Sequence, residues 1–183
     1  MKLSNPHEHH TKKSASSIKI AVITISDSRF KNSNQNFLSN SSFDESGDII
    51  KKMSKNANHD VTFYAVLPDS KLRIQSMVNH IIHEKLANVI LTTGGTGISK
   101  SDVTIEAIEN ILDKKIDGFG ELFRIKSYQD LNQHKYSSMI SRASAGVKNS
   151  VIIFMFPGSP EAVKTAMNII LPELSHMVYL VTS

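Results

Sequence analysis

The sequence predicts an α/β fold of three layers, a mainly parallel sheet with helices on both faces. Three observations carry that expectation. Residues 18–25 (IKIAVITI) and 151–156 (VIIFMF) are apolar runs with almost no alternation, the pattern of strands buried on both sides. Stretches with helical apolar spacing separate the strands, so the order reads strand, helix, strand, helix. Four strands also end in the small polar or glycine clusters Ser26-Asp27, Pro68-Asp69, Thr93–Gly97 and Pro157-Gly158-Ser159. In a parallel sheet such ends share the carboxyl edge, where ligands bind.

Residues 1–17 are polar and aperiodic and read as a disordered leader, leaving 18–183 as a single domain. His7, His9 and His10 within it make at best a weak, unselective metal site. After the first strand, residues 31–43 (KNSNQNFLSNSSF) read as an irregular loop. A helix starts near Ser46 and Gly47 and runs to about Asn56, with Ile49, Ile50, Met53 and Ala57 inward. Residues 61–67 (VTFYAVL) form the second strand. Ser70 is the N-cap expected for a helix reaching Lys85, whose Ile74, Met77, Val78, Ile81 and Ile82 make one apolar stripe. His80 and His83 beside the stripe are three residues apart, but no third ligand is in view, so they read as surface histidines. Residues 88–92 form a third strand, the TGGTG turn follows, and a helix is expected over 104–113. The last strand leads through PGSP into a C-terminal helix that Pro172 kinks or restarts.

The 183 residues and 40% hydrophobic content suit one domain with its own core. No run approaches the roughly 18 to 20 apolar residues of a membrane span, and the N-terminus lacks a signal-peptide core, which predicts a cytoplasmic protein. The absence of cysteine excludes disulfides, thiolate metal sites, iron–sulfur clusters and cysteine nucleophiles. The charge of +4 is dispersed, with no long basic stripe interleaved with aromatics, and argues against nucleic acid as a partner. A mild positive potential suits small anions.

Glycine is scarce at eight residues, and most of it lies in TGGTG, GFG and PGS. Gly94, Gly95 and Gly97 between a buried strand and a helix allow positive φ and let backbone amides approach an anion, with Thr93 and Thr96 adding hydroxyls. A plain strand-to-helix turn is the alternative. The loop is neither a Walker A sequence nor a GxGxxG dinucleotide fingerprint. Asp27, Asp69 and Asp102 follow three of the strand ends. Carboxylates beside phosphate repel it unless a divalent cation lies between, so Asp69 and Asp102 with Mg²⁺ suggest phosphoryl or nucleotidyl transfer. Asp102 equally suits a helix N-cap, and Asp69 a turn. Lys100, Arg124 and Arg142 are the cations available to offset phosphate charge.

In order, SDSR (26–29), DESG (44–47), Pro68-Asp69, LTTGGTG (91–97), SDVTIEA (101–107), GFGE (118–121), SRASAG (141–146) and PGSP (157–160) resemble the motif series of the MoaB/MogA molybdopterin-binding family. The resemblance runs from about Ile18 to the C-terminus. It implies a doubly wound domain that assembles as a homotrimer or a hexamer, molybdopterin as ligand, and in active members Mg²⁺-dependent transfer of AMP from ATP onto the pterin's terminal phosphate. Position by position, Asp69 and Asp102 match the family's two key acidic residues, and Thr93–Gly97 its pterin and phosphate loop. Ser26-Asp27 and Gly158-Ser159 match further loops of the same pocket.

Two departures stand out. Many members carry R-D-x-T-P-E-A where this chain has Ser101-Asp102-Val103-Thr104-Ile105-Glu106-Ala107, so an arginine and a helix-starting proline are missing. The 31–43 segment is also longer than expected. The paired aspartates favour a molybdopterin adenylyltransferase, and the missing arginine favours a non-catalytic molybdopterin-binding or assembly protein.

Overall fold

In the computed structural model, which describes residues 17–35, 44–130 and 135–183, the strands are β1 (Lys19–Ile25), β2 (Asp60–Leu67), β3 (Val89–Thr93), β4 (Lys114–Lys115), β5 (Ser144–Lys148) and β6 (Val151–Phe156). They form one sheet in the order β2-β1-β3-β6-β5-β4. The first four are parallel, and β5 and β4 add on antiparallel. The chain steps from β1 outward to β2 and then back across β1 to β3. The switch point therefore lies between β1 and β3, where a crevice opens at the carboxyl ends.

Alternate residues of the central strands supply two cores. Ile20 and Val22 of β1 join Leu91 and Phe154 beneath α2 (Glu45–Asn56), α5 (Asp117–Asp130), α6 (Pro160–Ile170) and α7 (Leu174–Thr182). Ala21, Ile23 and Ile25 join Ile90 and Ile153 beneath α3 (Lys71–His83) and the short α4 (Thr104–Ile108). The three expected layers are present. In α3 the stripe is buried as expected at Ile74, Val78 and Ile81, with Met77 and Ile82 packed against it, while His80 and His83 are exposed. Pro172 lies between α6 and α7, so the C-terminal helix restarts.

Several expectations need correction. The segment read as a loop from Lys31 is helical at its start, because α1 (Asp27–Gln35) begins directly after β1; residues 36–43 lie outside the described ones. Its start is set by Ser26, whose carbonyl accepts the Phe30 amide at 3.0 Å and whose hydroxyl accepts the Arg29 amide at 3.4 Å. Of the expected leader only Ser17 is described, and its hydroxyl donates to Asp60 Oδ2 at 2.6 Å. The helix expected over 104–113 ends at Ile108 and passes through a 3₁₀ turn, Glu109–Ile111, into β4. Neither β4 nor β5 was anticipated. Ser70 does occupy the N-cap of α3, but its side chain makes no capping bond. No described helix is long and apolar enough to cross a membrane.

Asp44, only 4% exposed, ties the sheet to two helices. It caps α2 by accepting the Gly47 amide at 3.1 Å, and it accepts the hydroxyls of Thr24 at 2.5 Å and Tyr64 at 2.7 Å. Arg29 of α1 approaches it to 3.6 Å. Burial, and then the bond to Asp44, push the Tyr64 phenol far above its ordinary range. Asp44→Ala would leave the fully buried Thr24 hydroxyl and the Gly47 amide without their acceptor, and should lower unfolding free energy by about 2–4 kcal/mol in a urea titration.

The turn after β3 meets β1 with no room for a side chain. Gly94 has φ +97°, and a Cβ there would collide with the Ile25 carbonyl oxygen. Gly94→Ala should destabilise by about 1–3 kcal/mol or more. Gly118→Ala, where nothing lies within 4 Å of the added atom, should change stability by no more than about 0.5 kcal/mol in the same titration.

Candidate active site

Parallel register brings the four anticipated strand ends together, since Ile25 pairs with Leu67, Thr24 with Thr93, and Thr93 with Phe156. At the ends of β1 and β2 two aspartates clasp each other's backbone. The Asp27 amide donates to Asp69 Oδ2 at 3.1 Å, and the Asp69 amide donates to Asp27 Oδ1 at 3.0 Å. Asp69 thereby leans over the glycine turn, where a Cβ at Gly95 (φ +63°) would lie 2.9 Å from its Oδ1. Burial holds the Asp69 carboxyl above the usual aspartate range. The charges of Asp27 and Asp102 act in the same sense, against the lowering effect of the Asp27 amide.

The TGGTG turn is fixed through its carbonyls. Thr104, fully buried at the start of α4, donates its hydroxyl to Gly94 O at 2.9 Å and its amide to Gly95 O at 3.0 Å. Arg142, just before β5, donates Nε to Gly97 O at 2.7 Å and, less closely, to Thr96 O at 3.4 Å. Four consecutive carbonyl oxygens are thus held by protein donors. On the far side, Gly94 donates its amide to Phe156 O at 3.0 Å, and the Thr93 hydroxyl reaches Pro157 O at 3.0 Å.

Asp102 does not cap α4, whose N-cap is Val103. Its Oδ2 instead accepts the Ser99 amide at 2.8 Å and closes the Ser99–Asp102 turn. Gly97, grouped above with the glycines needing positive φ, does not adopt one. It is small because a Cβ there would sit 2.7 Å from Asp102 Oδ2. Arg142 was expected to face phosphate and is placed as a brace. Besides the loop carbonyls it donates to Asp102 O at 3.2 Å and forms a bidentate pair with Glu106, whose carboxyl it holds below the usual glutamate range. Arg124 reaches the Ser141 carbonyl at 3.5 Å.

A cavity of about 260 Å³ opens on the α5 and α6 side of the turn, lined by Thr96, Gly97, Phe123, Ser138, Ser141 and Ser159 among others. Ser159 also caps α6 through the Ala162 amide at 3.3 Å. Gly158 packs against Gly94, and its carbonyl accepts the Ser46 hydroxyl at 2.7 Å, which ties the PGSP turn to α2. Thr104, Glu106 and Ser46 lie inside the SDVTIEA and DESG motifs but were not assigned to the site. Their partners are 10 to 112 residues away, and no local pattern specifies them.

Residues 21–176 match the family described as a probable molybdopterin binding domain. The chain is 42% identical over 172 residues to molybdenum cofactor biosynthesis protein B of Bacillus cereus, covering 93% of this chain and 94% of that protein. It is 39% identical over 161 residues to the probable molybdopterin adenylyltransferase of Methanocaldococcus jannaschii, covering 88% and 92%. Among solved structures, a molybdenum cofactor biosynthesis protein B superimposes with TM-score 0.81 at 40% identity over 93% of this chain and 99% of that one. The tungsten cofactor synthesizing protein MoaB of Pyrococcus furiosus does so with TM-score 0.77 at 33% identity over 93% and 100%. With a matched region that takes in the Asp27–Asp69 clasp and the TGGTG turn, the chain belongs to the MoaB/MogA molybdopterin-binding family.

Proposed function

We propose that the chain acts in molybdenum cofactor biosynthesis as a molybdopterin adenylyltransferase, binding molybdopterin and ATP at the carboxyl edge of the sheet. The observation that carries this reading is the placement of Asp69 and Asp102 around a glycine turn whose carbonyls are all bonded elsewhere. The name of the Methanocaldococcus jannaschii relative supports it. In the reaction a terminal phosphate oxygen of the pterin attacks the α-phosphorus of ATP, the α–β P–O bond breaks, and pyrophosphate leaves with the bonding electrons.

The donor set fits Mg²⁺. Burial, and after it the negative charges of Asp27 and Asp102, hold the Asp69 carboxyl above its ordinary range, so a cation there would offset both the lost hydration and the repulsion. Among the described residues no three acidic or histidine ligands converge as a complete cage. Mg²⁺ suits such a site, since it commonly takes one or two carboxylates and completes its shell with water and phosphate oxygens. Asp69 and Asp102 would hold it, and when bound it would offset charge on the phosphates. The turn around Gly95 and Thr96 orients the phosphate. Phe123 and the hydroxyls of Ser138, Ser141 and Ser159 shape the adjoining cavity for a flat polar heterocycle.

A second reading is a molybdopterin-binding or assembly protein without turnover. Ser101 in place of the family arginine favours it, together with the commitment of Arg142 to Glu106. The chain assembles, in either reading, as a homotrimer or a hexamer. Leu122, Ile125 and Met139, between 56% and 79% exposed around α5 and the following 3₁₀ turn (Lys135–Ile140), offer apolar surface for subunit contact.

Asp69→Asn and Asp102→Asn should each reduce pyrophosphate release from ATP and molybdopterin by at least roughly 100-fold; turnover within a few fold of the unmodified protein in either variant removes that residue from the mechanism. Because the raised Asp69 carboxyl must be ionised to hold a cation, activity should fall with decreasing pH sooner than an ordinary aspartate would dictate, and Asp69→Asn should abolish that acid limb in residual turnover. Sedimentation at micromolar concentration should give three or six subunits, and a stable monomer would exclude the assembly.

A further inference from the structure

Two side chains of α4 bear on the glycine turn by different routes. Thr104 holds the carbonyls of Gly94 and Gly95 directly. Glu106 lies beyond the turn and grips the guanidinium that holds its other half. A guanidinium carries its five N–H donors in one plane as a fixed fork. Along one edge of Arg142, Nε donates to Gly97 O at 2.7 Å and Nη2 to Asp102 O at 3.2 Å, so both ends of the 97–102 loop hang on a single rigid group. The other edge, Nη1 and Nη2, is filled by the two carboxylate oxygens of Glu106.

The direction of control follows from anchoring. α4 is fixed, because Ile105, Ala107 and Ile108 are buried in the core beneath α3 and Gln75 of α3 donates to Ala107 O at 2.9 Å. Arg142 stands just before β5, outside regular structure, at the end of a long side chain with many rotamers. Without a partner on its outer edge, the fork is free to rotate and release both carbonyls. The two side chains are 32% and 37% exposed, and an ion pair so open to water adds little to stability. What the pair fixes is the plane of the fork. We infer that Glu106 is a positioning residue: through Arg142 it sets the closure of the 97–102 loop, and with it the aim of the Asp102 carboxylate, which that loop holds by the Ser99 amide at 2.8 Å. Its bearing on turnover rests on the adenylyl-transfer reading, and its bearing on the loop does not.

The test compares Glu106→Gln with the unmodified full-length protein by residue-resolved amide exchange and, separately, by pyrophosphate release from ATP and molybdopterin per folded molecule. The Ser99 and Asp102 amides, which close the loop, should exchange roughly tenfold faster or more, while Val22 and Leu91 in the sheet keep their protection. Turnover should fall by roughly tenfold or more with them. In an Arg142→Gln background, Glu106→Gln should add less than about twofold to either readout, because its route is already cut. Glu109→Gln, which removes a neighbouring carboxylate bonded to Lys115 and Ser144, should leave both unchanged. Glu106→Asp, withdrawn by one methylene, carries the same comparison if Glu106→Gln does not fold. Loop amides that exchange as before, or a loosening that spreads equally to β1 and β3, overturns the inference. So does a full additional effect of Glu106→Gln in the Arg142→Gln background. Faster loop exchange with undiminished turnover overturns the part of Glu106 in the reaction. Absence of turnover in the unmodified protein sinks adenylyl transfer, and exchange alone then decides the role of Glu106 in the loop.

Discussion

The capture of four successive carbonyl oxygens, Gly94 to Gly97, by Thr104 and Arg142 is the interaction on which the site depends. A turn can approach an anion only if the negative ends of its peptide dipoles point elsewhere. Two glycines with positive φ let the chain bend that way, and the donors hold the bend. Thr104 comes from α4, and Arg142 from the segment entering the antiparallel β5. The antiparallel extension of the sheet is therefore what delivers the donor to the second pair of carbonyls, Thr96 and Gly97. Loss of either residue would leave two of these carbonyls without their protein donor and free to turn.

The same geometry concentrates negative charge. Asp27 and Asp69 cap each other's strand ends, which secures the approach of β1 and β2 but sets two carboxylates side by side. Asp102, held by Ser99, adds a third from the glycine turn. Burial raises the cost of ionising Asp69, and its neighbours raise it further. Perturbation of this kind is common at functional sites, and under the proposed function the cost would be recovered when a cation binds. The cations nearby gather on the Asp102 side: Arg142 is paired with Glu106, and Lys71 and Lys100 line the same cavity as Asp102.

Much of this was legible in the sequence where one physical signal dominated. Nearly continuous apolar runs identified β1 and β6, because double-sided burial leaves little polar alternation. The shared edge followed from their parallel order, and with it the neighbourhood of Asp27, Asp69 and TGGTG. What failed depended on distant partners. β4 is two exposed lysines, and β5 is SAGVK, small residues without a β-rich run; β5 is a strand because β6 offers it a ladder, and β4 because β5 then does the same. α1 is Asn- and Ser-rich and looks like loop, yet Ser26 caps it and Arg29 reaches Asp44. Gly97 was correctly marked as special for an incorrect reason, since contact with Asp102 constrains it and backbone sign does not.

The substitution of Ser101 for arginine can be weighed on the same terms. The Ser101 hydroxyl lies 3.0 Å from that of Ser99, so position 101 now serves the turn that orients Asp102. An arginine there would add a delocalised, bidentate cation next to Lys100. Lys100 brings a point charge on a flexible stem, and Lys71 brings another from α3. Two lysines can match the charge of one arginine but not its planar fork, and more side-chain freedom must be lost when they close on a phosphate. If the chain binds ATP as proposed, the expected consequence is weaker ground-state attraction for the nucleotide than an arginine at position 101 would give. In the proposed adenylyl transfer, the residues assigned to the α-phosphorus, Asp69, Asp102 and the turn, are unaltered by the exchange. Within the proposed reaction the substitution therefore bears on nucleotide affinity before it bears on the chemical step.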